Sequence, residues 1–129
     1  MKEYQNLPQN IKDAVESHLS EEEEIQVFFL AGKPMFSSPD YVFITNKRVL
    51  MLDIRTIGHL TVSYVNVKSD LPFSKIKSVE LNRTFKNKLV GEANLGIDIE
   101  GYRYLINGAN YKVAKKALEL ILSGMQKCS

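Results

Sequence analysis

Cysteine, tryptophan, histidine and long apolar runs are what this 129-residue sequence has least of. Its one cysteine, Cys128, excludes a disulfide framework and a thiolate metal cluster. Without tryptophan, and with most other aromatic residues at core-like positions, no platform for stacking bases stands out, so nucleic acid is not an expected partner. The two histidines, His18 and His59, fall on different segments, in no metal-ligand spacing and in no arrangement that would activate a nucleophile. Gly91, Gly96 and Gly101 recur at intervals of five but flank a strand, which is not the strand-turn-helix context of a phosphate-binding glycine loop. No catalytic residue, metal, cofactor or small-molecule substrate is therefore expected. No apolar run approaches the roughly 20 residues that span a bilayer. Met1-Lys-Glu-Tyr-Gln-Asn6 lacks the apolar core of a signal peptide, so a cytoplasmic location is the expectation.

What is present describes one domain with one core: 44% hydrophobic and 25% charged residues over 129 positions. The net charge of +2 conceals an asymmetry, because residues 1–24 carry seven acids against Lys2 and Lys12, a net of −5, which leaves +7 on the remainder. That split suits a basic surface meeting an anionic partner, or an acidic segment lying on a basic body.

Apolar positions Leu7, Ile11, Ala14, Val15 and Leu19 predict an amphipathic helix within residues 1–20. Ser20 to Glu24 interrupts that pattern and reads as a solvated acidic connector. Ile25 to Ala31 reads as a strand, Gly32 to Asp40 as a loop, and Tyr41 to Asp53 as a hairpin with Asn46-Lys47 at its tip. Further strands follow at Leu60 to Val67, Ile76 to Leu81, Ala93 to Ile99 and Tyr102 to Ile106. Ser69 to Lys75 is expected to be a turn and Arg83 to Gly91 a basic loop. From Tyr111 the period becomes helical, through Val113, Ala114, Ala117, Leu118, Ile121 and Met125. The expected domain is thus a helix in 1–20, a seven-stranded barrel over 25–107 and a terminal helix over 111–126.

Three phrases in this order carry a resemblance: Leu19-Ser-Glu-Glu-Glu-Glu-Ile25, Tyr41-Val-Phe-Ile-Thr-Asn-Lys-Arg-Val-Leu-Met-Leu-Asp53 and Leu71-Pro-Phe-Ser-Lys-Ile-Lys-Ser-Val-Glu-Leu81. The chain resembles the bacterial pleckstrin-homology-like (PH-like) family often called YokE-like. The resemblance implies a mainly β fold, a PH-like barrel of seven antiparallel strands in two sheets with a C-terminal helix plug, here with an extra N-terminal helix. PH-like barrels serve lipid heads, phosphopeptides, proteins and self-association, and with no catalytic constellation among the residues the expected function is that of a non-enzymatic interaction module.

Two candidate surfaces follow. The loops after strands one, three and five gather Lys33, Arg55, His59, Arg83, Lys86 and Lys88 into a rim suited to anionic lipid or a phosphorylated ligand. The paired basic residues that PH domains place on strand two are missing from Tyr41 to Thr45, so specific phosphoinositide binding is not expected. The second surface comes from pairing the hairpin about Asn46-Lys47, which gives two apolar faces, Val42, Ile44, Val49 and Met51 on one and Tyr41, Phe43, Leu50 and Leu52 on the other. A barrel interior uses only one of these. The outer one, with Phe28 and Leu30, is either covered by the N-terminal helix or is an interface for a protein partner or a second copy in a homo-oligomer.

Overall fold

The structure, a computed structural model, describes residues 2–32, 39–57 and 62–128. Helices α1 (Lys2–Gln5) and α2 (Gln9–His18) lead into a four-stranded antiparallel sheet of β1 (Ile25–Ala31), β2 (Asp40–Thr45), β3 (Arg48–Ile57) and β4 (Val62–Pro72), in that order. A 3-10 turn at Phe73–Lys75 passes the chain to a three-stranded antiparallel sheet, β5 (Ser78–Asn82), β6 (Glu92–Ile99) and β7 (Tyr102–Asn110). Helix α3 (Phe85–Val90) lies between β5 and β6, and α4 (Tyr111–Lys127) ends the chain. Seven antiparallel strands and a terminal helix are the PH-like arrangement. The two sheets nevertheless stay separate instead of closing into one barrel. At one corner the Gly32 N–H donates to the Asn107 carbonyl across them, at 2.6 Å.

The hairpin pairs as its alternation dictates: Tyr41 with Leu52, Val42 with Met51, Phe43 with Leu50 and Ile44 with Val49. Its turn is closed by a side chain, because the Thr45 hydroxyl oxygen accepts from the backbone N–H of both Lys47 and Arg48 at 3.0 Å. Period-two alternation then sorts the apolar side chains into two layers. Inward, Val42, Ile44, Val49 and Met51 pack with Leu95, Ile97 and Ile106 of the second sheet and with Ala117 and Ile121 of α4. Outward, Tyr41, Phe43, Leu50 and Leu52 form a second cluster beneath Ile11 and Val15 of α2, both fully buried. Tyr4 of α1 sets its ring edge-on to Phe28 at 6.0 Å and donates its hydroxyl hydrogen to Glu16.

Several boundaries depart from the sequence reading. β4 continues through the stretch Ser69 to Pro72, whose Ser, Asp and Pro content reads as a turn. Leu71 is buried there opposite Val49, and Pro72 lies at the end of an edge strand, where a missing N–H matters least. The basic stretch after β5 is not all loop: Thr84 caps a single helical turn and more, and Gly91 ends it in the left-handed region at φ 70°. A register shift between Ile25 and Val27 turns Ile25 from the inner to the outer layer. The acidic connector is not wholly solvated, because Glu23 is buried against Thr45 and Arg48.

α4 sits on the inner layer through a close approach at Gly124. A methyl group there would lie within 2.8 Å of the buried Phe73 ring. Alanine normally stabilises a helix interior over glycine by about 1 kcal/mol, whereas forcing an atom into a packed core costs roughly 1–3 kcal/mol. Three atoms of a buried ring crowd the site, so the upper part of that range applies, and Gly124→Ala is expected to lower stability by about 1–2 kcal/mol net in urea titrations; an unchanged or raised midpoint would refute the close contact.

Candidate functional site

Of the six rim residues, Lys33 and His59 lie outside the described residues. Arg55 is exposed on β3 with its guanidinium 3.5 Å from the Asp53 carboxylate, so its charge is locally offset. Arg83, Lys86 and Lys88 come together on and beside α3. Arg83 is half-buried: its Nε donates to the Glu92 carbonyl at 2.9 Å and its guanidinium carbon stands 4.0 Å over the Tyr111 ring. That stacking makes it a strut between the α3 corner and the start of α4. Lys86 and Lys88 are exposed.

The corner is rigidly built for so short a helix. Thr84 and Asn87 form a reciprocal capping box, the Thr84 oxygen accepting from Asn87 N–H at 3.1 Å and the Asn87 carbonyl oxygen accepting from Thr84 N–H at 2.9 Å. Asn94 of β6 donates to the same Asn87 oxygen at 3.1 Å and accepts from Gly108 N–H of β7 at 2.9 Å, tying α3 to the second sheet. Tyr111 N–H donates to Gly91 carbonyl at 2.9 Å, so α4 begins where α3 ends. The exposed Lys112, Lys115 and Lys116 in the first turns of α4 thereby extend the basic surface. A shallow cleft of about 220 Å³ lies beside α3, lined by Gly32, Lys86, Asn87, Glu92, Asn94 and Asn107 among others.

Sequence reading missed the apolar half of this corner. Phe85, Leu89 and Val90 are 78%, 70% and 53% exposed, the two largest values among the exposed large hydrophobic side chains of the described residues belonging to α3. The signal was the four-residue spacing of Phe85 and Leu89, which puts both on one face once the segment is helical. Lysines within the same run made it read as a polar loop.

The second candidate surface is largely occupied. α2 covers Tyr41, Phe43, Leu50 and Leu52, and Phe28 is half-buried beneath Tyr4 and against Phe43. Leu30 escapes this cover at 49% exposed, and Val67, at 40%, lies on the same row across the sheet. Among the described residues no group of three or more His, Cys, Asp or Glu could hold a metal ion, and no helix is long and apolar enough to cross a membrane.

No curated protein matches the chain. Crystal structures that share its fold include two from Shewanella. One, a protein with a pleckstrin-homology domain from Shewanella loihica, is 16% identical with a TM-score of 0.56, over 91% of this chain and 92% of that one. The other, a pleckstrin-homology domain from Shewanella amazonensis, is 18% identical with a TM-score of 0.57, over 87% and 96%. At such identity these likenesses speak for the fold alone. A family model described as bacterial PH domain matches residues 19–122, from the acidic turn through most of α4, and so spans both sheets and the α3 corner. On that match the chain belongs to the bacterial PH domain family.

Proposed function

We propose that this PH-like domain is a non-catalytic interaction module, working in the cytoplasm, that attaches to anionic membrane surfaces through the α3 corner. The observation that carries this reading is the exposure of Phe85 and Leu89 on one face of a helix whose other residues include Lys86 and Lys88. Full burial of such an apolar side chain is worth about 1.5–3 kcal/mol, and each lysine near an anionic leaflet adds about 1 kcal/mol. Neither term suffices alone. Together they favour reversible attachment, and the capping box holds both residue types in place before contact, so little order is lost on binding. Self-association through the outer sheet face is the weaker reading, since α2 already occupies most of that face.

Flotation with phosphatidylcholine vesicles, with and without phosphatidylserine, tests this. Wild type is expected to float with the anionic vesicles at low salt. Leu89→Ser should weaken binding roughly tenfold at any salt, the equivalent of about 1.4 kcal/mol of partial apolar burial. Lys86→Ala with Lys88→Ala should weaken it mainly at low salt, where screening is least. Equal flotation of wild type and Leu89→Ser would end the proposal.

A further inference from the structure

The geometry points to a second docking site, independent of the membrane reading: the open part of the β7 edge, at Arg103 to Leu105, takes an extended, uncharged peptide segment as an added strand, with one apolar side chain entering the cleft between β7 and the first sheet.

β7 is the outermost strand of its sheet, and β4 the outermost strand of the other. Between them runs a cleft of about 280 Å³. One wall is four consecutive residues, Tyr102, Arg103, Tyr104 and Leu105, and consecutive residues of a strand can line one cleft only along its backbone edge. The opposite wall is Met51 with Lys68 and Ser69, where a β-bulge leaves Lys68 without a partner in the register, Met51 pairing with Ser69 and Leu52 with Val67.

The backbone of that edge is turned outward. On β6 the Asp98 carbonyl accepts from Lys77 N–H at 2.8 Å, so Asp98 directs its backbone groups towards β5, and Arg103 opposite it must direct its own away from β6. Leu105 has the same parity. Farther along, the Asn107 carbonyl accepts from Gly32 outside the sheet. Arg103 and Leu105 thus offer the alternating N–H and C=O groups that an incoming strand pairs with.

Within the cleft the Ser69 hydroxyl is buried, the residue being 7% exposed, and has no hydrogen-bond partner among the described residues. A buried hydroxyl is nearly always paired, and one lining a cleft is poised for a group from an occupant. Charge argues for an uncharged segment. The Lys68 ammonium is taken by Asp40 at 3.0 and 3.1 Å, and the Arg103 guanidinium by Asp98 at 2.8 Å and by Glu80. An apolar side chain would instead meet Met51 and the Tyr102–Tyr104 ring pair, whose centroids are 4.6 Å apart.

The test selects seven-residue peptides from a random phage-displayed library on the full wild-type chain, then measures synthetic copies of the selected peptides. Supporting results are binders with alternating apolar residues, amide exchange at Arg103 and Leu105 slowed at least tenfold in the complex, and roughly tenfold weaker binding to Ser69→Ala. Leu105→Pro removes an outward N–H at an edge position where proline is tolerated, and should abolish binding. The exchange readout needs no variant, so misfolding of Leu105→Pro cannot mask the result. A library without binders, or bound peptides that leave both amides exchanging at the free rate, would mean a solvated edge only and overturn the proposal. Vesicle flotation is unaffected by either outcome.

Discussion

Glu23→Ala is expected to lower the free energy of unfolding by about 3 kcal/mol, the range for removing one partner of a buried ion pair. The Glu23 side chain is completely buried and its two oxygens collect five hydrogen bonds. Arg48 donates from Nε at 2.9 Å and Nη2 at 3.0 Å, Thr45 from its hydroxyl at 2.6 Å, and Ser20 from its N–H at 3.0 Å and its hydroxyl at 3.2 Å. Alanine would leave a partly buried guanidinium holding only Asp70, and would leave the Thr45 hydroxyl without its best acceptor, beside a cavity. Glu23→Gln should cost less but still roughly 2 kcal/mol, because a neutral amide accepts weaker bonds from Arg48 and presents donors to donors. Urea titrations of the two variants provide the check. Losses within 0.5 kcal/mol of zero would mean the network contributes nothing net.

The same carboxylate confers an acid sensitivity. Burial pushes its pKa up, but hydrogen bonds from Thr45, Ser20 and Arg48 and the Arg48 charge outweigh burial, and the net value lies below 4.5. A group whose folded pKa is depressed stabilises the fold fully above its unfolded value and loses that contribution as pH falls through the folded value. The stability gap between wild type and Glu23→Gln should therefore hold at neutral pH and shrink below about pH 4.5. A gap constant down to pH 3 would contradict the assignment.

Val15→Asp is the second large effect. Val15 is fully buried between α2 and the outer sheet face, and a carboxylate there would lose its hydration. The chain has an alternative to burying it: α2 can leave the sheet, so the cost is capped by what its docking contributes. We expect a loss of about 3 kcal/mol, in the range for an uncompensated buried charge, together with an apparent mass that rises with concentration in light scattering. The second result follows because departure of α2 uncovers Tyr41, Phe43, Leu50 and Leu52 as one continuous apolar patch. Ser17→Asp, on the exposed side of the same helix, controls for charge. If Val15→Asp matched that control in both measurements, α2 would not be the cover described.

The most legible parts of the molecule were those governed by local periodicity. The hairpin register follows from alternation about a two-residue turn, and the excess apolar face on Tyr41 to Leu52 announced a second layer. Illegible parts depended on partners distant in sequence. Spacing from Ser20 offers Glu23 a local capping partner, but nothing local marks it as the partner of Arg48, twenty-five residues away, until the fold brings the two together. The α3 turn is too short for periodicity to show and is stabilised largely by its capping box and by Asn94 beyond it. Composition misled at Ser69 to Pro72, where turn-forming residues occupy an edge strand because Leu71 is needed in the core. Parity puts Leu30 on the row of Tyr41 and Leu52, but α2 does not reach it.

The outer layer also imposes an order of assembly. A ten-residue helix with no side-chain cap at its start is too short to persist in water unaided. α2 therefore owes its helicity to a surface assembled from β1, β2, β3 and β4, which all follow it in the chain. The hairpin can close locally and early, whereas α2 must wait for the sheet. The residues nearest the N-terminus are thus among the last to find their structure.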